Sequence, residues 1–241
     1  MKKFWECKQS VDQDEADIYI FGEITSFKWD ESDTTASSFQ KDLKELGDVK
    51  KINLHVNSPG GSVFEGIAIG NMLRQHKARV VAHVDALAAS IASVIVASCD
   101  EVVMPENSML MIHNPWTFSM GNAKELRKRA DDLDKIAESS VVTYLAKAGE
   151  KLTEEKIKQI MDEETWLSAK EAFDYGLCDI VESSNQIAAS ISEKLFSNYQ
   201  RVPEKFLMTK QENQIDDHER KKIIEQAKKD KEYITNVLGG L

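Results

Sequence analysis

From residue 17 to residue 181 the chain alternates short runs of β-branched and aromatic residues with segments of helical spacing. That alternation restricts the fold more than any other feature. Residues 17–24 read as a strand closed by glycine. Residues 35–46 carry Phe39, Leu43 and Leu46 at helical spacing and end at Gly47. Residues 51–56 alternate as a strand and run into Pro59-Gly60-Gly61. Ser62-Val63-Phe64-Glu65 then has the form of a capping box, opening a helix with Phe64, Ile67, Ala68 and Leu73 as its apolar positions. A strand over 79–84, an apolar helix over 91–97 and short strands over 101–104 and 109–113 follow. A long amphipathic helix is expected over 122–148, with Leu126, Leu133, Ile136, Val141 and Leu145 inward. A shorter one starts at Thr153, an N-cap followed by Glu154 and Glu155 at the positive end of the helix dipole. Ser168-Ala169-Lys170-Glu171 is a second capping box, and Gly176 ends its helix before a strand over 177–181. Strands alternating with helices predict right-handed β-α-β units and an α/β fold.

Composition removes several classes of function. The 241 residues include 31 basic and 41 acidic ones, a formal net charge of −10, which disfavours nonspecific nucleic-acid binding. Hydrophobic residues at 41% and charged residues at 30% fit a soluble globular chain. Cys7, Cys99 and Cys178 are far apart and match no zinc or redox spacing, so they read as reduced thiols of a cytoplasmic protein. The first residues, Met1-Lys2-Lys3-Phe4-Trp5-Glu6, lack the apolar run of a signal peptide. The longest run of apolar and small residues, 86–97, falls short of the roughly 20 needed to span a bilayer. Neither nucleic acid nor membrane is expected as a partner.

The chemistry concentrates in three segments. In Ala86-Leu87-Ala88-Ala89-Ser90-Ile91-Ala92-Ser93 a serine sits among small residues where a strand gives way to a helix. A tight turn there exposes the hydroxyl at a helix N-terminus, whose dipole favours negative charge. Asn57-Ser58-Pro59-Gly60-Gly61 lies upstream. Its glycines permit the positive φ and close backbone approach that an oxyanion site needs, and no Lys-Ser or Lys-Thr follows to make it a phosphate loop. Met111-Ile112-His113-Asn114-Pro115 lies downstream and supplies an imidazole suited to proton transfer near neutral pH. By contrast, His55 and His83 fall in strands, His76 ends a polar helix, and His218 is in the charged tail. A serine N-cap, a plain glycine turn and a structural histidine are the bland readings of these segments taken singly.

Taken in order, the three segments resemble those of the Clp protease proteolytic subunit family, the ClpP-like serine peptidases. The resemblance covers about residues 17–182. It implies a ClpP/crotonase-like spiral of β-β-α units within the α/β class, with the long helix mediating ring stacking. It also implies Ser90 as nucleophile, His113 as base, and the N–H groups of Gly61 and Ile91 as oxyanion donors. No metal or organic cofactor is implied. In the family an aspartate precedes the Phe-Leu-Ser-Ala segment by two positions. Here Trp166-Leu167-Ser168-Ala169 matches that segment, which puts Glu164 in the place of the triad acid, with Asp162 and Glu163 as neighbouring competitors. The family has glycine four residues before and two residues after the serine, where this chain has Ala86 and Ala92. A glycine-specific backbone angle would be strained at either.

The expected organisation is an N-terminal arm over 1–16, a protease domain over 17–183 and a charged extension over 184–241. In the extension, residues 209–233 mix equal numbers of basic and acidic side chains with sparse apolar ones, as in an amphipathic helix that docks on a partner. The expected activity is serine endopeptidase action on a protein or peptide substrate by a homo-oligomer, a heptamer or stacked rings by resemblance, in the cytoplasm of a bacterial cell. The Glu-Thr-Trp form of the third motif and the charged extension are similar to ClpP-like proteases of phage heads, which would make capsid or scaffold proteins the substrates. The alternative is general turnover with a separate AAA+ unfoldase, since the chain has no Walker A motif. A rival of another class is an acyl-CoA hydratase or isomerase on the crotonase fold, which requires no Ser/His pair.

Overall fold

The computed structural model describes residues 4–9, 14–26 and 35–183. The extension over 184–241, including the helix expected at 209–233, lies outside the described residues. Strands β1 (Trp5–Gln9), β2 (Glu15–Phe21), β3 (Lys51–Ser58), β4 (Arg79–Ala89), β5 (Glu101–Pro105) and β8 (Ile180–Glu182) form a sheet in that order. β1 runs antiparallel to β2, and the other neighbours are parallel. Two more strands, β6 (Met109–Ile112) and β7 (Thr165–Ser168), leave this path, β6 pairing with β4 and β7 with β6. Between strands run α1 (Ala36–Glu45), α2 (Val63–Arg74), α3 (Ile91–Ala97), α4 (Ala123–Ala148), α5 (Glu154–Asp162) and α6 (Ala169–Asp174). The mixed α/β class expected from the sequence is the one observed.

Strand alternation builds the core. Ile18, Leu54 and Ala82 form one cross-strand row and Ile20, Val56 and Val84 another, all fully buried. Burying each large aliphatic side chain is worth about 1.5–3 kcal/mol. Residues one step out of phase face the opposite side, where Tyr19 stacks on His55 and His55 on His83 with centroids 4.8 and 5.0 Å apart. α1 is held at its start by a reciprocal Thr35–Ser38 capping box.

β4 runs five residues beyond the strand expected at 79–84, and this extra length forks the sheet. Its first half pairs with β5 through Val81, Ala82 and His83, and its second half pairs with β6 through Leu87, Ala88 and Ala89. The residue at the tip of the fork is Ser90.

Several expectations are corrected. Ser62 starts α2 without any side-chain cap, and the reciprocal half of the box is missing too: the Ser62 N–H donates to Ile24 O at 2.7 Å, and the Glu65 carboxylate accepts the backbone N–H of Ala36 at the start of α1. Phe64 is 69% exposed. The inward face of α2 is Gly66, Ile69, Gly70 and Leu73, a helical stripe that points Phe64 away. In α4 only Ser140, Val141, Tyr144 and Ala148 are buried, and Leu126 is exposed, because the helix packs against α3 and α5 through its C-terminal half. Ahead of residue 17, β1 pairs with β2, and Phe4 and Trp5 are buried in the core. The second capping box, at Ser168 and Glu171, and the Thr153 cap form as expected.

Candidate active site

The β4–α3 junction is backbone-strained. Ser90 has φ 56° and ψ −129°, and it shares positive φ with just one other non-glycine residue among those described, Glu164 at φ 49°. An L-residue held there costs on the order of 1–3 kcal/mol, so its surroundings must fix it. They do so through the Ser90 N–H, which donates to Met111 O at 2.9 Å and continues the β4–β6 pairing into the turn. The Ser90 carbonyl accepts from the Ser93 N–H at 3.0 Å and the Ser93 hydroxyl at 2.6 Å. Ala86 and Ala92 have no positive φ: Ala86 lies within β4 and Ala92 is buried in α3. The strain anticipated for a glycine-specific angle falls on the serine itself.

That turn carries the hydroxyl to the imidazole. The parallel register sets Ala89 against Met111, so Ser90 and His113 project from the ends of neighbouring strands. His113 Nε2 lies 2.7 Å from Ser90 Oγ. Burial lowers the His113 pKa below the ordinary imidazole value, and the charge of Glu164 opposes that by raising it. The imidazole is therefore neutral near pH 7 and can accept the hydroxyl proton.

Of the three carboxylates at the α5–β7 junction, two are engaged elsewhere. Asp162 Oδ1 accepts from Asn114 Nδ2 at 2.7 Å, and Glu163 Oε1 accepts from Gln159 Nε2 at 2.8 Å. Glu164 is the carboxylate whose charge acts on His113. The antiparallel register pairs Ile112 with Thr165, so the next pair in the count is His113 with Glu164.

The Pro-Gly-Gly loop is pressed against the strained turn. A Cβ on Gly60 would stand 2.7 Å from both Ala89 O and Ser90 Cβ, and φ there is +91°. Ile24 pins the next residue through Ile24 N–H to Gly60 O and Ser62 N–H to Ile24 O, both 2.7 Å. This pattern turns the Gly61 N–H to the other side of its chain. The Ser58 hydroxyl stiffens the loop further, donating to Gly22 O at 2.6 Å and accepting the Gly60 N–H at 3.1 Å. Ile91 is the first residue of α3, where a helix offers its N–H no internal acceptor. The structure thus brings the Ser90 hydroxyl and the His113 imidazole into contact beside the Gly60 loop, with the charge of Glu164 acting on His113.

The sequence motifs assign no part to Ser58, Ser93 or Tyr144. The Ser93 hydroxyl lies 2.8 Å from Tyr144 Oη, both buried. A serine one helical turn after the candidate nucleophile was the available signal. Of the cysteines, Cys99 and Cys178 are buried, and burial pushes their thiols up to about 12 and about 11, too high for thiolate chemistry. Among the described residues no group of His, Cys, Asp and Glu could hold a metal ion, and no helix is long and apolar enough to cross a membrane.

Comparison with known proteins places the chain in a family. The family model for Clp protease matches residues 14–185. The chain is 34% identical over 138 residues to an ATP-dependent Clp protease proteolytic subunit of Oltmannsiellopsis viridis, covering 56% of this chain and 69% of that one. It is 34% identical over 142 residues to the subunit of the same name from Pleurastrum terricola, covering 58% and 71%. Against that of Bacteroides fragilis it is 30% identical over 155 residues, covering 62% and 73%. The chain belongs to the Clp protease family, whose members are serine peptidases.

Proposed function

We propose that this chain is a serine endopeptidase in which Ser90 attacks the scissile carbonyl and His113 takes the hydroxyl proton. His113 then returns that proton to the leaving amine, and water hydrolyses the acyl-enzyme by the same route. Glu164 orients His113 and stabilises its protonated form, while the N–H groups of Gly61 and Ile91 hold the oxyanion. The observation that carries this reading is the 2.7 Å contact between His113 Nε2 and Ser90 Oγ at a positive-φ serine. An acyl-CoA hydratase or isomerase has no use for that pair, and the family match favours the peptidase.

Labelling with a fluorophosphonate probe tests it. The wild-type protein should be labelled and Ser90→Ala should not, with hydrolysis of a fluorogenic peptide falling by several orders of magnitude. Labelling that survives in the folded variant rules Ser90 out.

The working form is a homo-oligomeric ring enclosing the sites, as the resemblance implies. The role we favour is trimming of capsid or scaffold proteins in a phage or prophage head. This rests on the Glu164-Thr165-Trp166 form of the third motif and on the charged extension over 184–241, nearly all of it beyond the family match. Portal and capsid genes beside the reading frame would support it. An adjacent AAA+ unfoldase gene would instead indicate ATP-dependent turnover.

A further inference from the structure

We infer that Ser93 and Tyr144 are positioning residues that aim the Ile91 N–H at the oxyanion. The inference rests on the peptidase reading above and adds to it a hydroxyl relay from the long helix α4 to the peptide behind the nucleophile. A serine hydroxyl has one hydrogen. That of Ser93 is committed to Ser90 O at 2.6 Å, so the 2.8 Å contact with Tyr144 is a bond in which the phenol donates. The order is therefore Tyr144 O–H to Ser93 O–H to Ser90 C=O. Burial raises the Tyr144 pKa well above the ordinary phenol value, which keeps the phenol protonated and able to donate.

The end of this relay decides its function. The Ser90 carbonyl and the Ile91 N–H are two edges of one planar trans peptide, so they point in opposite directions. Holding the carbonyl from inside α3 fixes the plane and turns the N–H outward, toward the site. Successive hydrogen bonds also polarise one another, making the N–H a stronger donor to a developing negative charge. The strained φ of Ser90 gives this peptide a reason to be held: without the Ser93 hydroxyl its carbonyl retains only the 3.0 Å bond from the Ser93 N–H. Ser93 and Tyr144 are 1% and 2% exposed, so water cannot substitute for either hydroxyl. Tyr144 stands in the half of α4 that packs on the domain, which ties the oxyanion donor to the seating of that helix.

The test uses the full-length protein, a fluorogenic peptide and the fluorophosphonate probe. Tyr144→Phe keeps the buried ring and removes only the donor. It should lower kcat about three- to tenfold and leave KM unchanged. Ser93→Ala should lower kcat further, short of the 10²–10³-fold typical of losing an oxyanion donor outright. In the Ser93→Ala background, Tyr144→Phe should change kcat no more, because the phenol acts only through Ser93. Sedimentation and the urea midpoint are measured on each variant. Unchanged kcat in Tyr144→Phe overturns the inference. So do losses that multiply in the double variant, or a fall in kcat that follows loss of assembly. A wild-type protein that the probe does not label removes the peptidase reading itself, a separate outcome from wild-type labelling with indifferent variants.

Discussion

Glu164 stands across from His113, one step past the last pair of the β6–β7 ladder, in which Ile112 meets Thr165. The ladder sets the distance between the two backbones, so a longer acidic side chain changes the reach and not the partner. Removing the charge while keeping the shape tests the assignment. Glu164→Gln should lower kcat/KM by about 10²–10⁴-fold, the range associated with acid–base function in such sites. Asp162→Asn and Glu163→Gln should stay within about threefold, since their carboxylates bond Asn114 and Gln159. Steady-state hydrolysis of a short peptide measures all three. A damaging Asp162→Asn beside a benign Glu164→Gln would show the third motif to be displaced by two residues.

Activity should depend on pH through His113. Burial lowers its pKa, so the neutral base persists below the ordinary imidazole value of about 6.5. The acid limb of the kcat/KM profile should therefore fall below that value. In Glu164→Gln the residual activity should show this limb shifted further toward acid, because the charge that raises the pKa is gone. The stability sign is consistent. Between the lowered folded pKa and about 6.5 the unfolded chain binds more protons, so this residue's contribution to stability falls as pH drops through that window. An acid limb above pH 7 would contradict the assignment.

The segments of the candidate site are legible because each is local: small residues at a tight turn, a glycine pair, a histidine at a strand end. Thr153 and Ser168 were legible as caps for the same reason. What escaped depends on partners distant in sequence. Glu65 looked like the second half of a capping box, yet it serves Ala36, 29 positions away. The fork in β4 follows from pairing with both β5 and β6, which no strand pattern encodes. Phe64 and Leu126 have the spacing of core residues, but burial depends on which neighbour arrives, and they remain 69% and 43% exposed. Tyr144 is 51 positions from Ser93.

Gly60 should not tolerate a side chain. Its φ of +91° penalises any L-residue, and a Cβ would press on Ala89 O and Ser90 Cβ at 2.7 Å. Neither neighbour can yield, since both belong to the strained turn. Gly60→Ala should cost about 1–2 kcal/mol for the backbone and a further 1–3 for overpacking. The displaced turn should also abolish phosphonate labelling in the protein that still folds. Thermal melting and labelling, measured together, check both effects, and a labelled variant of wild-type stability would place the loop away from Ser90.

Lys147 anchors α4 to the sheet. Its side chain is 7% exposed, and Nζ donates to Asp179 Oδ2 at 2.6 Å, Asp100 O at 3.3 Å and Cys99 O at 3.4 Å. The same Asp179 oxygen accepts the Val102 N–H at 2.7 Å, so one carboxylate joins helix and strand. Lys147→Met keeps most of the apolar stem but leaves these acceptors without their shared donor. Asp179 is 41% exposed, and water can reach part of what is lost, which keeps the expected destabilisation at about 1–3 kcal/mol. Because Nζ is enclosed, 0.5 M salt should not reproduce the loss in the wild type, whereas it would for a surface pair. Urea midpoints at low and high salt measure this. A wild-type midpoint that falls with salt as far as the Lys147→Met midpoint does would show the contact to be ordinary surface screening and not an anchor.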